Sequence, residues 1–141
     1  MTAAIYYHPE AFTTSGPRLM GRNAAGESFL RDFLQYSRAE EFWVQVQRMD
    51  HAQHFAQTVK SFNRNEPVKA VDKNALSALE KPGVVYYPGP GIGEHAYHRA
   101  LAGAGAQGGD PHTAWSLCGI THTTSSAGAM DALANLITAP V

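Results

Sequence analysis

Residues 3–36 read AAIYYHPEAFTTSGPRLMGRNAAGESFLRDFLQY, and this stretch decides the fold. It begins with a short apolar run, residues 3–7, of the kind that forms a buried strand. A glycine-punctuated loop follows, and a helix is expected from about Asn23. Within that helix the apolar residues recur at the i, i+3, i+4 spacing of a single helix face. They are Phe29, Leu30, Phe33, Leu34 and Tyr36. The stretch therefore predicts a strand, a loop and a helix with one buried face.

The loop between this strand and this helix carries the groups that bind an anion. The first turn of a helix has unpaired N–H groups and the positive end of the dipole, glycine allows a close approach, and arginine adds a bidentate fork. The candidate phosphate-binding residues are Ser15, Gly16, Arg18, Gly21 and Arg22. The alternative is that the glycines merely shape a long connection and that the arginines are solvated.

Beyond this unit the chain continues to alternate between strand and helix patterns. Further strands are predicted at residues 41–47, 68–71, 84–87 and 114–120. Further helices are predicted at residues 51–62, around Leu76 and Leu79, at 94–102, and along a last face formed by Met130, Leu133, Leu136 and Ile137. Asp50 and Asp72 stand where they could cap the second and third helices. Parallel strands require crossover connections, which are right-handed. The pattern predicts one α/β domain over residues 1–141, a Rossmann-like doubly wound parallel sheet of about five strands with helices on both faces.

Ligands of such sheets bind outside the carboxyl ends of the strands, near the point where the strand order reverses. The loops after the first, fourth and fifth predicted strands should therefore share one rim. The fourth contributes Gly89 and Gly91, which could admit a ligand or could simply form a Pro-Gly turn. The fifth contributes His122 and Thr123. An imidazole there could hydrogen-bond to a sugar hydroxyl, or it could instead cap the strand end by hydrogen-bonding to the backbone.

Two further motifs are weaker. Residues 103–108 spell GAGAQG, but this run follows a helical pattern and leads into a loop, so it lacks the setting of a dinucleotide site. His95 and His98 are spaced to share a metal, yet no third ligand is evident, and metal binding is not expected. His51 and His54 have the same spacing and are read as surface or half-buried residues.

Composition narrows the class of protein. The chain has 141 residues, 44% of them hydrophobic and 16% charged, which is typical of a globular domain with a real core. Its net charge of −1 argues against broad attraction to nucleic acid or anionic lipid. The single cysteine, Cys118, is expected to be a small core residue in a reducing compartment. With no apolar run long enough for a membrane span and no signal-peptide pattern, the expected location is the cytoplasm.

Three stretches resemble one family of enzymes. They are IYYHPEAFTTSGPRLMGRNAAGESFLRDFL at residues 5–34, YYPGPGIGEHAYHRAL at 86–101 and WSLCGITHTTSSAGAMDAL at 115–133. Together they are similar to the amino-terminal domain of retaining glycosyltransferases of the GT-B fold, family 4. The resemblance touches most of the chain.

The resemblance implies the acceptor-side domain of an enzyme that moves a sugar from a nucleotide-sugar donor to an acceptor hydroxyl, without metal or cofactor. It assigns His122, within GITHT, to contact with the transferred sugar. At least one more strand and a carboxyl-terminal donor-binding domain would be expected after Val141, so activity of this chain alone is not expected. Two rival interpretations are a stand-alone Rossmann-like module for another phosphorylated small molecule, and a non-catalytic fragment that acts through a partner chain.

Overall fold

A five-stranded parallel sheet forms the centre of this computed structural model, which describes residues 2–14, 21–102, 109–121 and 126–140. The strands are β1 (Ala4–Tyr6), β2 (Phe42–Gln45), β3 (Val68–Val71), β4 (Val84–Tyr87) and β5 (Ser116–Gly119). Their order in the sheet is β3-β2-β1-β4-β5, and every neighbouring pair is parallel. The predicted parallel α/β architecture is confirmed.

Four α-helices connect or follow the strands: α1 (Gly21–Tyr36), α2 (Met49–Ser61), α3 (Ile92–Ala102) and α4 (Ala127–Ala134). Short 3-10 helices occupy Pro9–Ala11, Leu76–Glu80, Pro111–Thr113 and Asn135–Ile137. Within the described ranges, no helix is both long enough and apolar enough to cross a membrane. The helix starts differ from the sequence prediction by two residues, because the helices begin inside the polar loops that precede their apolar faces.

The prediction that Asp50 caps the second helix is wrong. Arg48 occupies the cap position of α2, and its side chain makes no capping hydrogen bond. Asp50 lies in the first turn, where its carboxylate accepts two hydrogen bonds of 2.9 Å from the Arg48 guanidinium. An acidic side chain in the first turn interacts favourably with the helix dipole without serving as the cap.

The third predicted helix is a five-residue 3-10 helix, Leu76–Glu80. Asp72 does not cap it, because the Asp72 carboxylate accepts a hydrogen bond from the Asn74 backbone N–H and closes a local turn instead. Leu79 is fully buried, and Gly83, with a positive φ of 77°, turns the chain into β4. The connection from β3 to β4 is therefore too short to cover the sheet surface beneath it completely.

Side chains alternate along β1 between two hydrophobic clusters. Ile5 and Tyr7 belong to a cluster that includes residues of α1 and α2, such as Leu34 and Phe55. Ala4 belongs to the other cluster, against which Tyr6 packs. The second cluster also contains Trp43, Val71, Leu79, Val85, Tyr87 and Trp115, with Ile92 and Ala102 of α3 packed against it.

Two predictions about the carboxyl-terminal part of the chain are wrong. Cys118 is exposed and not a core residue, because β5 is an edge strand on which Ser116 is exposed as well. The last predicted helix face is not buried among the described residues, and Met130 and Ile137 are 51% and 87% exposed. The helical pattern ends early, since α4 stops at Ala134 and a 3-10 turn follows.

Arg64 holds the end of α1 against the rest of the domain. Its Nη1 group donates to the carbonyl oxygens of Leu34 and Ser37 at 2.8 and 3.0 Å, and its Nη2 group donates to that of Ala39 at 3.4 Å. The last carbonyls of a helix have no partner within the helix. The Glu66 carboxylate, 2.8 Å away, pairs with the same guanidinium and keeps the pKa of Arg64 above its usual value.

We expect Arg64→Lys to destabilise the fold by about 1–2 kcal/mol, because one ammonium group cannot reproduce a planar fork that serves three carbonyls and a carboxylate. Urea denaturation with an unchanged slope would measure this loss. Arg48→Lys is the matched control, since Arg48 forms an ion pair on a side chain that is 70% exposed and should change the stability little. Equal losses in both variants would contradict the role given to Arg64.

Candidate functional site

The strand order reverses between β1 and β4. The chain runs from β1 through β2 to β3 on one side, and then returns to place β4 and β5 on the other. The loops that follow β1 and β4 leave the same edge of the sheet, because the two strands are parallel neighbours. Open α/β sheets bind ligands at this kind of reversal. The rim predicted from the sequence therefore exists for these two loops.

Two cavities lie at this edge, and we call them the large and the small cavity. The large cavity has a volume of about 730 Å³ and lies between α3, the end of β2 and the segment after β3. The small cavity, of about 270 Å³, lies between the segments that follow β1 and β4. Tyr6 and His95 line both. These two side chains therefore stand at the boundary between the cavities.

Three rings form a cluster at that boundary, in which the His95 and Tyr87 rings are stacked and the Tyr6 ring is tilted against both. The His95 ring lies 4.0 Å from the Tyr87 ring, at an interplanar angle of 22°, and 4.9 Å from the Tyr6 ring. The two tyrosine rings are 5.3 Å apart. Ile5 pairs with Tyr86, so the next residues along β1 and β4, Tyr6 and Tyr87, are neighbours on one face of the sheet. The first turn of α3 then brings His95 onto them.

Burial lowers the pKa of His95 to about 4, and the nearby His98 contributes in the same direction. The imidazole is therefore neutral at physiological pH, with one nitrogen able to donate a hydrogen bond and the other able to accept one. Burial also raises the pKa of Tyr87 well above its usual value, and the Tyr87 hydroxyl donates to Gln45 Oε1 at 3.1 Å. The centre of the site is thus aromatic, polar and uncharged.

Tyr6 is held in its protonated form as well. Burial raises its pKa, while a hydrogen bond with the Gln47 side chain acts in the opposite direction and the Glu94 carboxylate acts in the same direction as burial. A phenol at this position can donate or accept a hydrogen bond at neutral pH. It contributes polarity without charge.

A second group of histidines supports the end of β1 from the other face. The Tyr7 hydroxyl and His54 Nδ1 are 2.6 Å apart, and the His8 and His51 rings meet edge to face at 4.6 Å. Burial and the neighbouring His8 lower the pKa of His51. His8 itself lines the small cavity. The interpretation of His51 and His54 as surface or half-buried residues holds for His54, which is exposed, and is wrong for His51, which is buried. It did not foresee that both support the segment after β1.

Some of the predicted site residues lie at these cavities. Gly89 and Gly91 line the small cavity, and a Cβ atom at either would meet nothing within 4 Å, so the protein itself does not demand glycine there. The Gly89 carbonyl accepts a hydrogen bond from the Ile120 backbone N–H, which joins the ends of β4 and β5. Gly21 is the first residue of α1 and does not line either cavity.

Other predicted residues lie outside the part of the chain that the structure describes. They are Ser15, Gly16, Arg18, His122 and Thr123, together with the GAGAQG run at 103–108. Arg22 belongs to α1, but its side chain is not among those described. Their placement in the site stays a prediction. Within the described ranges, no group of three or more histidine, cysteine or acidic side chains is arranged to hold a metal ion.

The sequence analysis missed Tyr6, Gln45 and His95 as site residues. Gln45 had a detectable signal, because it is a polar residue in the otherwise apolar run FWVQ, all of which is buried. Tyr6 had a signal in its place at the end of the first predicted strand. His95 was considered with His98 as a metal pair, whereas its ring is packed on aromatic neighbours that only the sheet brings together.

We expect the domain to lose stability as the pH falls from about 7 to about 5, partly through His95. Its pKa of about 4 in the folded protein lies below the usual histidine value of 6.5, so the unfolded chain takes up the proton first. The stability that depends on a neutral His95 is fully present above the pKa of this histidine in the unfolded chain. It is lost as the pH falls toward the pKa of His95 in the folded protein. His95→Phe keeps a ring but cannot titrate. Between pH 7 and pH 5 the free energy of unfolding of His95→Phe should therefore fall less than that of the original protein, by on the order of 1–2 kcal/mol.

Urea denaturation at several pH values would measure the difference. Tyr97→Phe, on the same helix, is the control and should keep the pH dependence of the original protein, because it removes a hydroxyl that bonds to the Thr138 carbonyl and leaves His95 in place. Parallel pH dependences for His95→Phe and the original protein would refute a buried neutral imidazole.

Comparisons with known proteins add no relative to this description. The chain matches no family model, no curated protein and no solved structure.

Proposed function

We propose that this chain is the acceptor-side domain of a glycosyltransferase that moves a sugar from a nucleotide-sugar donor to an acceptor hydroxyl. The observation that carries the proposal is the pair of cavities at the strand-order reversal, lined by aromatic rings and by a neutral imidazole. Sugars present both hydroxyl groups and apolar C–H faces, and this lining offers hydrogen-bonding groups beside ring faces. The resemblance of three stretches of the sequence to family 4 glycosyltransferases supports the same reaction.

In the proposed reaction the acceptor oxygen forms a bond to the anomeric carbon while the bond from that carbon to the donor phosphate breaks. Positive charge develops on the sugar ring and negative charge on the departing phosphate. Arg18, Arg22 and the backbone amides at the start of α1 are proposed to stabilise the phosphate. His122 is proposed to hydrogen-bond to the transferred sugar. The second domain would bind the nucleotide of the donor. The proposed location of the enzyme is the cytoplasm.

Arg18→Ala combined with Arg22→Ala should weaken the binding of a sugar phosphate to this chain by about tenfold or more, because two charge-assisted contacts are removed. Calorimetry with glucose 1-phosphate would measure the change. Arg31→Ala combined with Arg48→Ala is the matched control, since both of these arginines are exposed and pair with neighbouring aspartates. Unchanged affinity in the variant that lacks both Arg18 and Arg22 would show that this loop does not bind the phosphate.

In an enzyme that joins this domain to its donor-binding domain, His122→Ala should lower kcat by on the order of 10²–10³, as expected for a contact that strengthens with developing charge. The melting temperature should barely change. If His122 only caps the strand end, the His122→Ala variant should show the opposite behaviour, with a lower melting temperature and a nearly normal turnover. Steady-state kinetics and thermal unfolding of the same variant therefore decide its role.

A further inference from the structure

The large cavity lies between the connection from β3 to β4 and α3. A five-residue 3-10 helix covers the sheet there, and α3 covers the neighbouring region. Between them the ends of β1 and β2 remain accessible, with Tyr6 and Gln45 lining the opening. The volume of about 730 Å³ falls within the range of small-molecule sites. The space is therefore large enough for a ligand and begins at the same edge as the proposed reaction.

Gln45 brings a buried polar group to this cavity. The residue is 7% exposed, and its Oε1 atom already accepts a hydrogen bond from the Tyr87 hydroxyl. Its amide nitrogen has no hydrogen-bond partner among the described residues and is open to the solvent of the cavity. A ligand oxygen in the cavity can therefore accept a hydrogen bond from it.

The surrounding wall combines ring surfaces with uncharged polar groups. Tyr6 and His95 present aromatic rings, and Leu76 and Leu101 add apolar surface. Asn74 and Ser77 add an amide and a hydroxyl on the side that faces α3. The wall offers both hydrogen bonds and apolar contact within one space.

The charges of the wall exclude several classes of ligand. Lys73 and Glu94 contribute one positive and one negative charge, so their sum gives no net attraction for a phosphate or carboxylate. A fatty chain would displace water from the Gln45 amide nitrogen without offering it an acceptor. A cyclic compound with several hydroxyl groups satisfies the amides and covers the rings with its C–H face.

We propose that the large cavity receives the acceptor of the transfer reaction, and that this acceptor is a neutral carbohydrate of one or two rings. The acceptor role rests on the proposed function, whereas the carbohydrate class rests on the cavity itself. Gln45 and Asn74 hydrogen-bond to ring hydroxyls, and the Tyr6 and His95 rings pack against the carbohydrate. The small cavity adjoins the large one at Tyr6 and His95, so the acceptor hydroxyl lies toward that boundary.

The test is a titration of the chain with glucose, galactose, mannose, maltose and cellobiose, followed by amide chemical shifts in nuclear magnetic resonance. At least one of these sugars should shift the Gln45 side-chain amide and backbone amides of α3, and saturate. Glucose 6-phosphate should bind no better than glucose. Gln45→Leu should weaken binding about tenfold, the effect of one lost hydrogen bond. Gln53→Leu, an exposed change of the same kind on α2, should leave it unchanged.

Asn74→Ala provides a second variant, because Asn74 is exposed and its loss should not affect folding. It should weaken the binding of the same sugar without lowering the melting temperature. The carbohydrate assignment is overturned if no neutral sugar shifts these amides. It is also overturned if a sugar binds to Gln45→Leu and to Asn74→Ala as tightly as to the original protein. A clear preference for glucose 6-phosphate would also overturn it.

Kinetics of the enzyme that carries the donor-binding domain separate this inference from the proposed function. Transfer to a lipid or another acceptor, with no sugar bound in the large cavity, would refute the inference and leave glycosyl transfer intact. Sugar binding in the cavity without transfer from any nucleotide sugar would refute the proposed function and the acceptor role, while carbohydrate recognition would stand.

Discussion

The pairing of β1 with β4 is the interaction on which the rest of the structure depends. β1 has three residues and hydrogen-bonds to β2 on one side and to β4 on the other, so it holds the two halves of the sheet together. Ile5 lies at its centre opposite Val44 and Tyr86, and is 1% exposed. Because the strand order reverses here, the loops after β1 and β4 must meet at one edge. The cavities follow from this arrangement.

The same pairing determines the chemistry of the site. It places Tyr6 beside Tyr87, and the loop after β4 is short enough for α3 to bring His95 onto both rings. The imidazole loses hydration in this cluster of rings and does not gain a carboxylate partner among the described residues, so its pKa falls. A histidine that remains neutral under physiological conditions can donate or accept a hydrogen bond without adding a charge to the cavities. Burial is the larger cause of the lowered pKa of His95, and the nearby His98 adds to it.

The two connections that flank this edge differ in how they are supported. The segment after β1 rests on α2 through the Tyr7–His54 and His8–His51 contacts, and α1 is anchored at its far end by Arg64. The connection from β3 to β4 has only a short 3-10 helix and leaves the sheet open beside it. The well-supported side positions the groups that line the small cavity, and the short connection borders the large one. The large cavity therefore lies where the sheet is covered by a short 3-10 helix and not by an α-helix.

The sequence by itself determined the parallel α/β architecture, because apolar runs of strand length alternate with helical periodicity, and such local patterns need no knowledge of distant contacts. It also predicted a rim shared by the loops after the first, fourth and fifth strands, because ligands of parallel sheets bind at the carboxyl ends of the strands. The loops after β1 and β4, with Gly89 and Gly91, do lie at one edge, whereas His122 and Thr123 after β5 lie outside the described residues. Tertiary structure decided the rest. Cys118 is exposed because β5 is an edge strand, which its own apolar neighbours do not reveal. His95 lies at the cavities because its ring contacts Tyr6 and Tyr87, which are about 90 and 8 positions earlier in the chain. The burial that lowers the pKa of His95 exists only once β1, β4 and α3 have packed together, so no local pattern reveals it.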